Sequence, residues 1–124
     1  MPDLKSAEKF PEVTVPRLGG GTLELGHPAE GYDWQMVVIY RGLHCPLCKK
    51  YLGTLLELAP RFHDTGIDVV AVSGDPEEKA RAFTDEVGLN LPVGYDLSLD
   101  QMRTLGLYIS SPRPQETDRP FPEP

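Results

Sequence analysis

Cys45 and Cys48 stand three positions apart in the segment Arg41-Gly42-Leu43-His44-Cys45-Pro46-Leu47-Cys48, and the chain has no other cysteine. Two thiols at i and i+3 of a helix lie one turn apart, close enough to close a small disulfide ring. A sulfur at the mouth of a helix is favoured as thiolate, because unpaired backbone N–H groups and the positive end of the helix dipole face it. Cys45, at or near the helix N-cap, would gain that stabilisation. Cys48, inside the first turn and more buried, suits the resolving role. In a reducing compartment such a pair reads as catalytic or metal-binding, since two cysteines cannot staple a secreted scaffold.

Other uses of the same residues are weaker. A structural zinc site needs two more Cys or His ligands, and His27, His44 and His63 form no second paired motif. Two inert, half-buried thiols are the other reading. His44 as a cation could lower the thiol pKa of Cys45, and Arg41 could add positive potential or hold an anionic substrate. Lys49 and Lys50 fit a solvated helix face. Tyr40, Tyr51, Phe83 and Tyr95 read as core or sheet-covering residues, and Asp75, Glu77 and Glu78 as helix-start acids. Nothing calls for a metal or a cofactor.

The elements that must position the pair follow from periodicity. Met36 to Tyr40 is apolar on both faces and rich in β-branched residues, as a buried parallel strand is. Arg41 to His44 is the loop after it. From Pro46, residues Leu47, Tyr51, Leu52, Leu55, Leu56 and Ala59 follow helical spacing, with proline at the first position and Pro60 ending or kinking the helix. Ile67 to Ser73 is a second buried strand. Asp75-Pro76-Glu77-Glu78 then opens a helix with Ala80, Phe83 and Val87 inward and Gly88 as its stop. Pro92 to Tyr95 is a third short strand, and Ser98 to Leu105 a helix with Ser98 and Gln101 as a capping box. Ahead of these, Phe10 to Val15 and Thr22 to Leu25 make an N-terminal β-hairpin around Gly19-Gly20-Gly21. The βα repetition implies a mainly parallel sheet with helices on its faces. The carboxyl end of such a strand is where α/β folds place their chemistry.

Composition sets the outer bounds. The chain has 124 residues, enough for one domain, and 40% of them are apolar. Residues 1–110 read as one α/β domain, and 111–124 as a proline-rich loop or linker carrying five of the thirteen prolines. A net charge of −7 argues against a nucleic-acid partner. No apolar run approaches the ~18 residues that span a bilayer, so no membrane partner is expected. No signal peptide is visible at the N-terminus, which makes the cytoplasm the expected location.

At the residues around the cysteine pair the chain resembles the peroxiredoxin-like branch of the alkyl hydroperoxide reductase/thiol-specific antioxidant (AhpC/TSA) family, within the thioredoxin-like superfamily. Arg41-Gly42-x-x-Cys45-Pro46-x-Cys48 is the most specific match. Phe10 to Pro16 with its glycine turn, Val37 to Gly42, Val69 to Asp75 and Gly106-Leu107-Tyr108 extend it. The resemblance implies a thioredoxin-like fold, with the family's C-terminal ββα part expected to lie outside this chain. It implies that Cys45 is the peroxidatic nucleophile, attacking a hydroperoxide and becoming a sulfenic acid. Cys48 would condense with that sulfenate to form a redox-active disulfide, which a thioredoxin- or glutathione-type reductant would reopen. Family members often form dimers, so a homodimer is among the assemblies it allows.

Two departures matter. Peroxiredoxins usually carry Thr or Ser three residues before the nucleophile, where this chain has Gly42. They also use an arginine from a later strand, for which there is no match. The chain stops at Phe121-Pro122-Glu123-Pro124, about where the last hairpin, helix and cis-proline would begin. Gly42 keeps a second activity in view, reduction of protein disulfides by the same dithiol. A non-enzymatic binding module or redox sensor is the third.

Overall fold

The computed structural model describes residues 9–107 and 109. The expected linker, 111–124, lies outside them. Strands β1 (Val13–Pro16) and β2 (Thr22–Leu25) pair antiparallel, with Val13 opposite Leu25 and Val15 opposite Leu23. Those four side chains are buried while Thr14 and Glu24 face out, the period-two pattern of a one-sided ribbon. The strand begins at Val13 rather than at Phe10, since Pro11 has no N–H to give a ladder. Gly19, Gly20 and Gly21 all take positive φ in the turn, which L side chains adopt at a cost.

Strands β3 (Trp34–Ile39), β4 (Ile67–Val72) and β5 (Val93–Gly94) form a parallel sheet in the order β3-β4-β5. Val69 to Val72 of β4 are wholly buried. Val69 and Ala71 face one core with Leu52, Ala59, Phe83 and the two cysteines. Val70 and Val72 face another with the hairpin, Leu97, Met102 and Leu105. Both faces are covered, which is why Val69 to Val72 reads as an unbroken apolar run. The hairpin meets the β5 side through Leu18 N–H to the Val93 carbonyl at 2.9 Å and Tyr95 N–H to the Pro16 carbonyl at 3.1 Å. Gly94 permits that approach, because a Cβ there would lie 2.6 Å from Val15 Cγ2.

β3 departs from expectation. It is half-buried rather than buried, and Trp34 is 71% exposed. Met36 and Val38 do pack toward the first core and Val37 and Ile39 toward the second, but β3 pairs only with β4 among the described residues.

Helix α1 (Pro46–Asp64) runs through Pro60 instead of stopping there. Pro60 is exposed and close to the C-terminal end, where water can serve the one carbonyl that loses its donor. Helix α2 (Glu77–Val87) ends as expected, Gly88 taking φ 78° and donating its N–H to the Thr84 carbonyl at 2.8 Å. Helix α3 (Leu99–Thr104) carries the expected capping box from Ser98 and Gln101. Among the described residues no helix is long and apolar enough to cross a membrane.

Candidate functional site

β3 delivers the chain to Tyr40, whose N–H donates to the Val72 carbonyl at 3.1 Å. Tyr40 is buried and its ring stacks on Phe83 with centroids 4.4 Å apart. Burial pushes its phenol up to about 12; the neighbouring Ser73 hydroxyl opposes this and the Asp75 charge adds to it. Arg41 to His44 then make the loop that presents Cys45.

Cys45 is the N-cap of α1. It holds extended backbone at φ −100° and ψ 102°, and its Sγ accepts the N–H of Cys48 at 3.2 Å. Its own N–H donates to the Gly42 carbonyl at 3.1 Å, and its carbonyl accepts the first helical bond from Lys49 at 3.3 Å. Pro46 at the first helical position gives up a donor that would have had no partner. The first turn contains no acid, so the dipole end is not neutralised by a carboxylate of its own turn.

Cys45 and Cys48 are joined as a disulfide, with Cα atoms 5.3 Å apart, inside the range such bonds require. Cys48 is 1% exposed and Cys45 4%, so burial barely separates them. Their donors do. Cys48 Sγ accepts the backbone N–H of Arg41 at 3.4 Å and the Tyr51 hydroxyl at 3.3 Å. Leu47, between the cysteines, is 72% exposed and Tyr51 45%. Both were expected inward, but the cysteines take the inner face of the first turn. The pair therefore sits just under an apolar surface patch. A cavity of ≈ 450 Å³ near Arg17, Arg81 and Asn90 shares no residue with the dithiol loop.

Asp75 is the residue that the sequence placed wrongly. It does not cap α2, whose N-cap is Pro76 with no side-chain bond. It is fully buried, and its Oδ2 accepts the N–H of Leu43 at 2.8 Å. Gly42 lies directly beside it, at φ 142°, where an added Cβ would come within 2.8 Å of Asp75 Oδ1. A threonine or serine has no room there, which gives the departure at Gly42 a physical reason. A usable signal was the parallel register: Ile39 pairs with Val72, so Gly42 and Asp75 each lie three residues past neighbouring strand ends.

The remaining candidates scatter. Arg41 is exposed, and its charge acts on Tyr51, whose phenol burial raises and Arg41 lowers. His44 is half-buried in the loop. Lys49 pairs with Glu86 at 3.1 Å, tying α1 to α2. Tyr95 is half-buried, and its hydroxyl donates to Glu77 at 2.8 Å, which holds that carboxyl below its usual value, with Arg81 helping. His63 lies against the Tyr32 ring at 5.5 Å, and His27 is exposed. Among the described residues no three His, Cys, Asp or Glu side chains converge as a metal site.

The AhpC/TSA family model matches residues 7–120. A thiol-disulfide oxidoreductase ResA of Halalkalibacterium halodurans is 27% identical over 104 residues, 83% of this chain and 57% of that one. The peroxidoxin BcpB of Mycobacterium tuberculosis superposes with a TM-score of 0.68 at 19% identity, covering 80% of this chain and 64% of that one. The thioredoxin domain of thiol-disulfide oxidoreductase BVU-2223 from Bacteroides vulgatus gives 0.72 at 21% identity, covering 86% and 76%. The chain thus spans a little over half the length of the ResA relative. Its sheet, flanking helices and N-terminal hairpin are those of a thioredoxin-like α/β fold, and it belongs to the AhpC/TSA family.

Proposed function

We propose that this chain is a thiol-dependent oxidoreductase that reduces hydroperoxides through the Cys45–Cys48 couple. One observation carries it: Cys45 Sγ occupies the N-cap of α1 and is bonded to Cys48 one turn on. In the reduced protein the Cys45 thiolate attacks the terminal oxygen of ROOH. The O–O bond breaks, Cys45 becomes a sulfenic acid, and the alkoxide takes a proton to leave as ROH. The Cys48 thiolate then attacks that sulfur, hydroxide departs as water, and the disulfide forms. Two electrons from a thioredoxin- or glutathione-type donor return both sulfurs to the thiol state. The AhpC/TSA match and the likeness to a peroxidoxin support this reading.

A specific observation favours a second oxidant. Gly42 stands hard against Asp75, leaving no room for a hydroxyl beside an incoming peroxide, and a ResA oxidoreductase is among the relatives. The same couple would then reduce a protein disulfide. Stopped-flow turnover of hydrogen peroxide and an organic hydroperoxide with a dithiol donor, against reduction of insulin disulfides, separates the two. Peroxide turnover well above free cysteine supports the first; insulin reduction alone supports the second. Neither activity leaves a binding module or redox sensor.

A further inference from the structure

We propose that the Tyr51 hydroxyl sets the redox behaviour of the pair by stabilising Cys48 as a thiolate. The proposal rests on the oxidoreductase reading above and adds a residue acting on one of the reacting atoms. Tyr51 follows Cys48 by one turn of α1, so helix geometry alone brings the two to one face. Its Oη lies 3.3 Å from Cys48 Sγ, and the Arg41 N–H reaches the same sulfur at 3.4 Å. Cys48 is 1% exposed, so protein donors stand where water would. Cys45 Sγ is served by the N–H of Cys48. The hydroxyl therefore acts on one sulfur of the pair.

Tyr51 is 45% exposed, yet its hydroxyl is turned to a buried sulfur. Burial raises the Tyr51 phenol above its ordinary value, so it keeps its proton at neutral pH and stays a donor. A donor strengthens as its acceptor gains charge, so this bond is worth more to a Cys48 thiolate than to a disulfide sulfur.

The consequence appears in both directions of the cycle. In reduction, a donor thiolate attacks Cys45 Sγ and forms a mixed disulfide. The Cys45–Cys48 bond breaks and its electron pair goes to Cys48 Sγ, which Tyr51 and Arg41 N–H receive as thiolate. The donor's second thiolate then attacks the donor sulfur of that mixed disulfide and releases Cys45 as thiolate. In oxidation, the same hydrogen bonds keep Cys48 ionised for attack on an oxidised Cys45. A lower-pKa thiol is the better leaving group.

Tyr51→Phe tests this while keeping ring and fold. Cys48 is titrated alone in a Cys45→Ser background by thiolate absorbance, and Cys45 alone in a Cys48→Ser background. Tyr51→Phe is expected to raise the Cys48 pKa by about one unit and to leave Cys45 unmoved. With both cysteines present, at a pH above the Cys48 pKa of both proteins, the equilibrium should shift about tenfold toward disulfide, ~30 mV more reducing. An unchanged Cys48 pKa overturns the proposal, as does an equal shift at both thiols. Failure of the oxidoreductase reading looks different: a parent protein that turns over neither peroxide nor protein disulfide. The thiol titrations do not depend on that result.

Discussion

The first turns of α1 and α3 are built on the same hydrogen bond with different atoms. At α3, Ser98 Oγ accepts the N–H of Gln101 at 3.1 Å, and Gln101 Oε1 accepts the N–H of Ser98 at 2.9 Å. At α1, Cys45 Sγ accepts the N–H of Cys48 at 3.2 Å. The i to i+3 spacing is identical. α3 adds Asp100 in its first turn, whereas α1 has no acid there. Oxygen, amide and carboxylate close the α3 end and use up its positive field. Sulfur closes the α1 end weakly, and the field stays available to a thiolate. One terminus is finished as structure; the other is held in place from outside, by Asp75 on the loop after β4.

Cys45→Ser should break the contrast most sharply. Serine caps a helix at least as well as cysteine, so the variant should match the reduced parent in urea titration. Its peroxide reactivity should fall by a factor on the order of 10³ or more, because a hydroxyl is not ionised at neutral pH.

A pH series on Tyr40, which packs beneath the same loop, comes next. The unfolded chain releases this proton near the ordinary phenol value of 10.0, while the folded chain holds it to about 12. Above pH 10 the unfolded state therefore binds fewer protons, and stability falls as pH rises toward 12. The loss across that window is roughly 2–3 kcal/mol, and Tyr40→Phe should lack it when urea midpoints are compared.

Gly42→Ala should cost roughly 1–3 kcal/mol from its positive φ and the contact with Asp75. Asp75→Ala should cost a similar ~1–3 kcal/mol by stranding the Leu43 N–H. Combined, they should cost less than their sum, since one removes the atoms against which the other clashes. Smallest of all, Ser98→Ala should lose about 1 kcal/mol and leave thiol reactivity untouched.

Features with local causes were legible in the sequence. The cysteine pair at a strand-to-helix junction, the Ser98–Gln101 box, the Gly88 stop and the hairpin follow from spacing of four residues or fewer, or from simple alternation. What escaped depends on partners far along the chain. Asp75 before Pro76-Glu77-Glu78 has the composition of a helix cap, yet its carboxylate serves Leu43, 32 residues away. Leu47 and Tyr51 fit an apolar stripe, but Cys48 and Leu52 already fill the buried face of α1. β3 has the residues of a covered strand, while its pairing among the described residues is one-sided. Periodicity reports that a side chain is apolar, and only the assembled sheet decides how much of it is covered.

The redox couple itself is best tested by mass. Trypsin cuts after Arg41 and Lys49, so one peptide, Gly42 to Lys49, carries both sulfurs. Fully reduced protein given one equivalent of hydrogen peroxide should yield that peptide lighter by two hydrogens and closed to alkylation. A dithiol donor should restore it. Recovery of the peptide with both thiols still open to alkylation would contradict a reversible Cys45–Cys48 couple.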